Sequence, residues 1–421
     1  MITSIALDNF KGFREVKVHP RLVTVFVGPN GTGKSSLLQA LGLLKQSLGN
    51  ASISVDGPLV RVSGFTDLRP HRPAHRSPMR ISFDGVVSLP QLAKFGFAEE
   101  SRFSYSAEFV DGDLTSHSGG VGYAFLGAPD TIDVESTTAT STAKKHQIGP
   151  HKVQLRFGES AIGHAFRITG WSDGPSDQQE RVALIDLVDS ASSTLASIRF
   201  AHAARGFVRP EFQLGNDVVS DISIAGGLSD SEKQLATNLA YTRRVEEDIS
   251  ELLGKVTGVG LRTDVVPDRS IRVYALAPTG DVNMVMEGFG SNALVSLLWQ
   301  LVNADGGATI MIEEPEIHLH PRAQAELASV LAGTAKEDGK QLIITTHSEH
   351  VVGRFLTLVA EGELSPDELA IYAFEKDHEG VCTAKELKVT QDGRVEGGIK
   401  DFFETDLDEL DRYIKALQPS E

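Results

Sequence analysis

Nine consecutive residues near the N-terminus combine glycines, a lysine and hydroxyl groups in a spacing suited to phosphate chemistry. The segment GPNGTGKSS fits the pattern G-x-x-x-x-G-K-S/T, follows the apolar run LVTVFV and precedes an amphipathic helical pattern that starts at Lys34. Glycines allow backbone conformations in which main-chain N–H groups wrap phosphates, and the following helix directs its positive end toward them. The residues expected to contact a nucleotide are Gly28, Pro29, Asn30, Gly31, Thr32, Gly33, Lys34, Ser35 and Ser36.

Lys34 and Ser35 have distinct expected roles in this loop. Lys34 is expected to bridge the β- and γ-phosphates as a point charge, and the Ser35 hydroxyl to bind Mg²⁺, which keeps several waters and takes few protein ligands. The alternative, a chance glycine-rich turn, is disfavoured by the strand and the helix on either side. The loop therefore predicts ATP and Mg²⁺ as cofactors.

An acidic pair ends a second apolar run, in ATIMIEEPEIHLHP. Such a strand buries its apolar residues only if its polar end opens onto something charged, for which Mg²⁺ and a water are natural candidates. We expect Glu313 to bind the metal directly or through water, and Glu314 to act as the general base that polarises the attacking water. ATPases with a phosphate-binding loop of this kind usually carry Asp at the first of these two positions, so Glu313 departs from their pattern.

A histidine stands at the end of a third apolar run, QLIITTHSEH. The intervening PRAQAELASVLAG predicts a helix with Pro321 in its first turn and Gly333 just past its end, which makes the two strands parallel neighbours. His347 can then hydrogen-bond the γ-phosphate or hold Glu314 and water in line, so the predicted catalytic set is Lys34, Glu314 and His347. A transition-metal site is the alternative reading of four histidines, His318, His320, His347 and His350.

Composition restricts the classes of protein to which the chain can belong. Its 421 residues, 41% hydrophobic and 23% charged, suit one large domain with a lobe or two smaller ones, and the net charge of −17 argues against a protein that coats nucleic acid. The single cysteine, Cys382, excludes an internal disulfide. With no signal pattern and no apolar stretch of membrane length, we expect a cytoplasmic protein that does not enter the membrane.

One segment, RPHRPAHRSPMR, is locally basic. It is either a solvated loop or a loop that contacts phosphate, and the sequence leaves both open. Its cationic and titratable residues are Arg69, His71, Arg72, His75, Arg76 and Arg80.

The order of patterns predicts four regions. Residues 1–215 are expected to hold the phosphate-binding loop and a β-rich insertion with strands from about 80 to 170, in which residues 133–150 are expected to form a mobile loop. Residues 216–258 are expected to form a helical lobe, residues 259–360 the second half of the ATPase domain, and residues 361–421 a hairpin and a final helix. Sustained heptads are absent from the sequence, so no long coiled coil is expected.

Taken together, NFKGF, GPNGTGKSS, EGFGSN, IEEPEIHLHP and THSEH, in that order, resemble the compact ABC-type ATPases related to the OLD and RecF proteins of bacterial defence and DNA repair. The resemblance covers most of the chain and is weakest from about 85 to 195. It implies an α/β fold, an ABC-type (RecF/SMC-like) P-loop ATPase head with an N-terminal β-rich lobe and a small helical lobe.

The resemblance also implies a second set of nucleotide contacts. In that family GFGSN stands where transporter-type ABC ATPases carry their signature motif. The resemblance therefore implies that Gly288, Gly290 and Ser291 would meet the γ-phosphate bound to the other subunit of a homodimer. Ser291 also reads as the N-cap of the helix NALVSLLWQLV, and a plain helix cap is the alternative. The segment HAARGFVRPEF resembles one that precedes the helical lobe, and it suggests for Arg205 only a phosphate or carboxylate contact.

The function implied is an ATP-driven switch that controls a separately encoded nuclease or toxin in anti-phage defence. A DNA-repair ATPase that grips DNA directly and an ATP-clamped scaffold with negligible hydrolysis are the alternatives. OLD nucleases append a TOPRIM domain after the histidine motif, and because only 74 residues follow His347 we expect no nuclease activity in this polypeptide.

Overall fold

The structure is a computed structural model, and it describes residues 1–70, 77–137, 142–157, 161–163, 166–203, 206–219, 221–222 and 228–399. The described part contains both strands and helices, with a long run of strands in its N-terminal half and most of the helices in its C-terminal half. The strands are β1 Ile2–Phe10, β2 Phe13–Val18, β3 Val23–Val27, β4 Met79–Ser88, β5 Glu100–Val110, β6 Asp113–Phe125, β7 Ala128–Thr137, β8 Thr142–Ile148, β9 His151–Phe157, β10 Phe166–Asp173, β11 Arg199–Ala201, β12 Phe212–Gln213, β13 Gly260–Val265, β14 Ser270–Ala277, β15 Gly280–Asn283, β16 Thr309–Glu313, β17 Gln341–Thr345, β18 Leu369–Lys376 and β19 Cys382–Leu387. The helices are α1 Lys34–Gln46, α2 Gln178–Val188, α3 Ser190–Ser197, α4 Leu228–Tyr241, α5 Arg243–Thr257, α6 Phe289–Asn303, α7 Pro321–Asp338 and α8 Glu349–Ala360.

A six-stranded sheet in the order β11-β16-β17-β3-β18-β19 forms the centre of the molecule. Its first five strands are parallel and β19 pairs antiparallel with β18. Both faces are covered: Val23, Val25 and Val27 point into one hydrophobic cluster, whereas Phe26 points into the other. This explains the continuously apolar runs of the sequence, since a parallel sheet is buried on both sides. The carboxyl ends of β3, β16 and β17 therefore meet at one edge.

A second sheet, antiparallel, covers one side of the molecule together with α1. Its order is β2-β1-β4-β5-β6-β7, and a separate three-stranded sheet has the order β10-β9-β8. Phe103, Tyr105, Ala107 and Phe109 on β5 are buried at alternate positions, which is the period-2 pattern of a sheet with one face in the core. The strands predicted between residues 80 and 170 are thus present.

The prediction of a mobile loop at residues 133–150 is wrong for most of that segment. β7 continues to Thr137 in register with β6, and β8 pairs with β9 from Thr142 to Ile148, while residues 138–141 lie outside the described ranges. The segment lacks an apolar period, but pairing with neighbouring strands supplies its backbone hydrogen bonds, and β-branched threonines suit extended structure. Strand pairing therefore decides the structure of this segment, although its polar composition indicates a loop.

Helices α5, α6, α7 and α8 share the second hydrophobic cluster with the other face of the central sheet. α4 and α5 fall within the region expected to form a helical lobe, next to a small antiparallel sheet of β12, β14, β13 and β15. α2 and α3 were not expected from the sequence. The longest helix of the described ranges, α7, has 18 residues, so the part of the chain that can be described holds no long coiled coil.

Two helix ends differ from expectation. α7 continues through Gly333 and ends at Asp338, where Gly339 adopts the left-handed φ of 63° that terminates helices. α6 begins at Phe289 with Gly288 at the N-cap, so Ser291 lies inside the first turn and is not the cap. A helix tolerates an internal glycine at a modest cost when neighbouring turns pack well, which is why Gly333 did not end α7.

The C-terminal hairpin is present as β18 and β19. The final helix expected from DLDELDRYIKAL falls in residues 400–421, outside the described ranges, as do His71, Arg72, His75, Arg76 and Arg205. No helix among the described residues combines the length and the apolar character needed to cross a membrane. The fold class predicted from the sequence is confirmed: a mixed α/β head with a β-rich N-terminal part and a small helical part.

Candidate nucleotide-binding and hydrolysis site

The phosphate-binding loop joins β3 to α1, and its glycines are required by its shape. Gly28 has a φ of 137° and Gly33 a φ of 100°, both in the region that favours glycine. A Cβ on Gly28 would lie 2.3 Å from the carbonyl oxygen of Phe374, and a Cβ on Gly33 would lie 2.5 Å from the Phe13 ring. The loop is therefore pressed between β18 and the β1–β2 hairpin, and only glycine fits at these two positions.

Lys34 opens α1 and bends its side chain back over the loop. Its Nζ donates hydrogen bonds to the carbonyl oxygens of Gly28, at 2.7 Å, and of Pro29, at 2.9 Å. Burial lowers the pKa of Lys34, and the carboxylates of Glu314 and Glu316 oppose that shift. The ammonium is thus held by neutral oxygens, beside the helix N-terminus, where phosphate oxygens would be stronger partners.

A cavity of about 570 Å³ opens beside the loop. Asn30, Gly31, Gly33, Lys34, Ser35 and Ser36 all line it. Its Lys and Arg side chains are Lys11, Arg14, Lys34, Arg69 and Lys376. Its carboxylates are Asp67, Glu314 and Glu379. In a chain with a net charge of −17, a cavity with more Lys and Arg than carboxylates is a local site for an anion.

Glu314 lies at the rim of this cavity in a strained backbone conformation. Its φ is 44°, which is uncommon for any residue other than glycine, and its N–H donates to the Thr345 carbonyl at 2.9 Å. This turn directs the carboxylate along the sheet edge, so that Oε1 lies 3.7 Å from Nε2 of His347. The structure therefore brings Lys34, Glu314 and His347 to one cavity.

His347 has an environment that favours its neutral form. Burial lowers its pKa, the charge of Lys34 lowers it further, and Glu314 and Glu316 oppose both effects. A neutral imidazole has one donor and one acceptor nitrogen. At neutral pH the ring can therefore accept a hydrogen bond on one side and donate one on the other.

Glu316 was not singled out in the sequence. Its Oε1 accepts a hydrogen bond from the Thr346 hydroxyl and another from the His347 backbone N–H, both at 2.7 Å. The signal that could have identified it is a third carboxylate within IEEPEIHLHP. Its contacts depend on how β16 and β17 pair, which that segment alone does not reveal.

Glu313 ends β16 and is held beside the cavity. Its Oε2 lies 3.3 Å from Nδ1 of His202, and its charge raises the pKa of Lys11 against the lowering effect of burial. Ser35 lines the cavity, whereas Glu313 is not among its described lining residues. Of the predicted metal pair, the structure thus places Ser35 in the cavity and Glu313 at its side.

Magnesium fits these oxygen donors only with help from other ligands. Within the described ranges, no three His, Cys, Asp or Glu side chains form a group that could hold a metal ion. Phosphate oxygens and waters would have to complete the coordination, as Mg²⁺ commonly requires. The transition-metal reading loses support, since His318 and His320 line a different cavity from His347.

The predicted signature residues line that second cavity, of about 590 Å³. Gly288, Gly290 and Ser291 meet His318 and His320 there, and among the described residues the two cavities share no lining residue. A Cβ on Gly290 would lie 2.7 Å from the carbonyl oxygen of His318, so glycine allows the start of α6 to approach this loop. One chain thus does not bring its signature residues to its own phosphate-binding loop.

Two further residues, one in the first cavity and one at the start of α6, were not assigned a role from the sequence. Lys11 donates to the side-chain oxygen of Gln39, and both line the first cavity. Asn292 fixes the start of α6, since its side chain accepts from the Phe207 N–H at 2.7 Å and donates to the Phe207 carbonyl at 2.8 Å. Lys11 lies in the segment NFKGF and Asn292 in the segment EGFGSN. Both segments were identified from the sequence, but no role was assigned to these two residues.

Comparison with known proteins gives three kinds of similarity. The chain is 24% identical over 370 residues to an OLD nuclease from Thermus scotoductus, covering 83% of this chain and 59% of that protein. It is 44% identical over 63 residues to the DNA replication and repair protein RecF of Streptomyces avermitilis, covering 14% of this chain and 16% of that protein. A solved SMC head, bound to the C-winged helix domain of ScpA, matches at a TM-score of 0.49 and 14% identity, covering 93% of this chain and 98% of that one.

The chain spans less than two thirds of the length of either curated relative. A family profile described as an AAA ATPase domain matches residues 1–73 and 223–352. These ranges contain the phosphate-binding loop, the signature segment, the acidic pair and His347. These two ranges are therefore similar to an AAA ATPase domain, and the chain is related in sequence to the OLD nuclease and RecF proteins named above.

Proposed function

We propose that this chain binds and hydrolyses ATP with Mg²⁺, and that two copies close around the nucleotide as a molecular switch. The observation that supports this most strongly is the meeting of Lys34, Glu314 and His347 at a cavity framed by the phosphate-binding loop. The similarity of residues 1–73 and 223–352 to an AAA ATPase domain supports the general activity. The residue roles are our own inference from the geometry.

Phosphate binding begins with exchange of partners at Lys34. The ammonium leaves the carbonyl oxygens of Gly28 and Pro29 for the more negative phosphate oxygens, while backbone N–H groups of the loop and the start of α1 surround them. A bound Mg²⁺ would neutralise part of the phosphate charge, with oxygens of Ser35 and Glu313 as its protein ligands. The surrounding lysines and arginines draw the anion into the cavity.

Hydrolysis requires a water in line with the γ-phosphate and a base to take its proton. Glu314 serves as that base, since its carboxylate stands on the cavity rim beside Lys34. Neutral His347 orients Glu314 and the water or donates to the γ-phosphate, at a starting distance of 3.7 Å from the carboxylate. Lys34 stabilises the charge that collects on the phosphate oxygens during transfer.

The second cavity supplies the reason for a homodimer. Gly288, Gly290 and Ser291 lie at the N-terminal turn of α6, a place that attracts phosphate, yet in the described ranges they line no cavity together with their own phosphate-binding loop. A second copy, turned so that this turn faces the first copy's γ-phosphate, would complete both sites. Met286 and Phe289, 80% and 51% exposed, flank Gly288 and would be covered in such a pair.

As the role of the switch we propose control of a separately encoded effector, a nuclease or a toxin, in anti-phage defence. One relative, similar over 83% of this chain, is named a nuclease. Closure and opening of the dimer would then be the signal that the effector reads. Co-purification of native partners from the host, with and without ATP, tests this part.

A DNA-repair ATPase that grips DNA is the second candidate, and the described part of the basic segment counts against it. Arg80 is paired with Glu108 and Asp8, and Arg69 donates to the Ser77 carbonyl and lines the nucleotide cavity. Both arginines are therefore already engaged. Salt-dependent binding of the isolated protein to DNA would favour this candidate over the effector switch.

The decisive experiment for the ATPase uses Glu314→Gln, which keeps size and shape but cannot accept the proton. We expect wild-type protein to hydrolyse ATP only with Mg²⁺, and the variant to bind ATP normally while its turnover falls by about 10² to 10⁴. A single-turnover assay measures the loss and also separates a true ATPase from an ATP-clamped scaffold. If the variant keeps a rate within a few-fold of wild type, Glu314 is not the base.

A further inference from the structure

Glu316 is a buried carboxylate outside the predicted catalytic set. The residue is 8% exposed and follows the acidic pair on the loop after β16. Its Oε1 accepts from the Thr346 hydroxyl and from the His347 N–H, both at 2.7 Å. Its Oε2 is buried and has no hydrogen-bond partner among the residues that the structure describes.

A carboxylate in this state is costly for stability. Removing a charge from water is unfavourable, and an oxygen without a partner adds to that cost. The placement of Glu316 therefore directs attention to what its Oε1 holds in position.

The two donors belong to the segment that carries His347. The Thr346 hydroxyl also accepts from the Ser348 N–H at 2.9 Å, and Ser348 caps α8 by accepting from the Val351 N–H at 3.0 Å. Between the end of β17 and the start of α8, Glu316 thus fixes both the residue before His347 and the His347 backbone itself.

These contacts join the loop after β16 to the loop after β17. Glu314 lies on the first loop and the imidazole of His347 on the second, 3.7 Å from the Glu314 carboxylate. A change in the spacing of the two loops changes that distance directly. Displacements of about 1 Å can cost about 10²-fold in rate when reacting groups must be aligned.

We propose that Glu316 is a positioning residue for hydrolysis: by accepting from Thr346 and His347 it sets the distance between the Glu314 carboxylate and the His347 imidazole. The inference rests on the proposed ATPase function and adds a residue to it. Glu316 does not line the cavity among the described residues, so it acts through His347 and not on the nucleotide.

The test measures kcat and KM for ATP in wild type, Glu316→Ala and Glu316→Gln. Alanine removes the acceptor, so kcat falls by about 10-fold to 10²-fold while KM stays within about threefold, because the phosphate-binding loop is intact. Glutamine keeps the side-chain oxygen that accepts both bonds, and its kcat stays within about threefold of wild type. Glu361→Gln is the matched control, since its side chain is 46% exposed and pairs with Arg354 at the surface.

A second pair of variants covers the case in which Glu316→Ala fails to fold. Thr346→Val removes one of the two donors and lowers kcat by about threefold to tenfold, while Thr346→Ser keeps the hydroxyl and restores the rate. Wild-type kcat in Glu316→Ala, or a glutamine variant as slow as the alanine variant, would overturn the positioning role. Absence of turnover in the wild-type protein would instead overturn the proposed function, and this inference with it.

Discussion

A few side chains set the balance of charge at the nucleotide cavity. Lys34 is buried and lies close enough to Glu314 and Glu316 for their carboxylates to oppose the lowering of its pKa. Before nucleotide binds, these groups balance one another. A bound triphosphate would change that balance, because its charge exceeds that of the nearby carboxylates and would draw Lys34 away from the loop carbonyls.

Lys34→Ala tests the phosphate-binding assignment. The side chain would make charge-assisted hydrogen bonds of about 1.5 to 3 kcal/mol each, so its loss lowers ATP affinity tenfold or more per contact. Calorimetric titration with ATP and Mg²⁺ measures the change. Unchanged affinity would remove Lys34 from the nucleotide site, and thermal unfolding of the variant shows whether the fold survived.

The pH dependence of hydrolysis tests the state of His347. Burial and Lys34 lower its pKa below the ordinary value of 6.5, so the neutral ring persists as pH falls through that value and is lost only at lower pH. We therefore expect the acid limb of kcat/KM for ATP that depends on His347 to lie below pH 6.5. His347→Gln, which cannot titrate, is the control: an acid limb centred above 6.5 that disappears in this variant would contradict a neutral His347.

At the scale of elements, the phosphate-binding loop is shaped by its contact with β18. Gly28 combines a φ of 137° with a Cβ position 2.3 Å from the Phe374 oxygen, whereas Gly31 has a φ of 74° and nothing within 4 Å of its Cβ position. Substitution at these two glycines therefore tests different effects. A side chain at Gly31 adds backbone strain alone, whereas a side chain at Gly28 adds both strain and a steric clash.

Alanine at each of these glycines gives a matched comparison. Gly31→Ala should cost about 1 to 2 kcal/mol of unfolding free energy, the strain of a left-handed alanine. Gly28→Ala should cost roughly 2 to 5 kcal/mol, since overpacking adds to strain, and it should abolish ATP binding. Urea denaturation of both variants measures the difference, and equal losses would show that the contact between the loop and β18 is not tight.

Local patterns in the sequence were enough to identify several elements. The apolar run before Gly28 and the helical period from Lys34 predicted β3 and α1, because both are decided by nearby residues. The end of α7 was predicted wrongly at Gly333, since packing along the helix outweighs the weak tendency of one glycine to end it. Strand pairing likewise made residues 133–150 mostly extended, although their composition indicated a loop.

The candidate site could be predicted only where a motif carries its own geometry. Glu314 and His347 were found because each ends an apolar run, and parallel strands bring such ends together. Glu316 was missed because its role depends on hydrogen bonds across two loops. Ser291 was found as part of a segment, but its place inside the first turn of α6 depends on where that helix starts.

For the whole molecule, the separation of the two cavities is the feature with the largest consequence. The phosphate-binding loop and the turn that holds Ser291 lie at cavities with no shared lining residue in the described part of the chain, so in the proposed dimer each chain would supply two half-sites. A two-fold arrangement of identical chains would complete both half-sites with the same contact. The proposed switch depends on that arrangement.

Ser291→Arg, mixed with Lys34→Ala, tests this claim most directly. In a head-to-tail dimer of the two variants, one composite site has an intact loop and an intact signature turn, and the other has both defects. We expect each variant alone to be inactive, and an equimolar mixture to regain about a quarter of the wild-type rate, since half of random pairs hold one good site of two. The measurement is ATP hydrolysis by the mixture against each variant alone. Wild-type turnover by Ser291→Arg alone would contradict the account, because Ser291 would then serve only the start of its own helix.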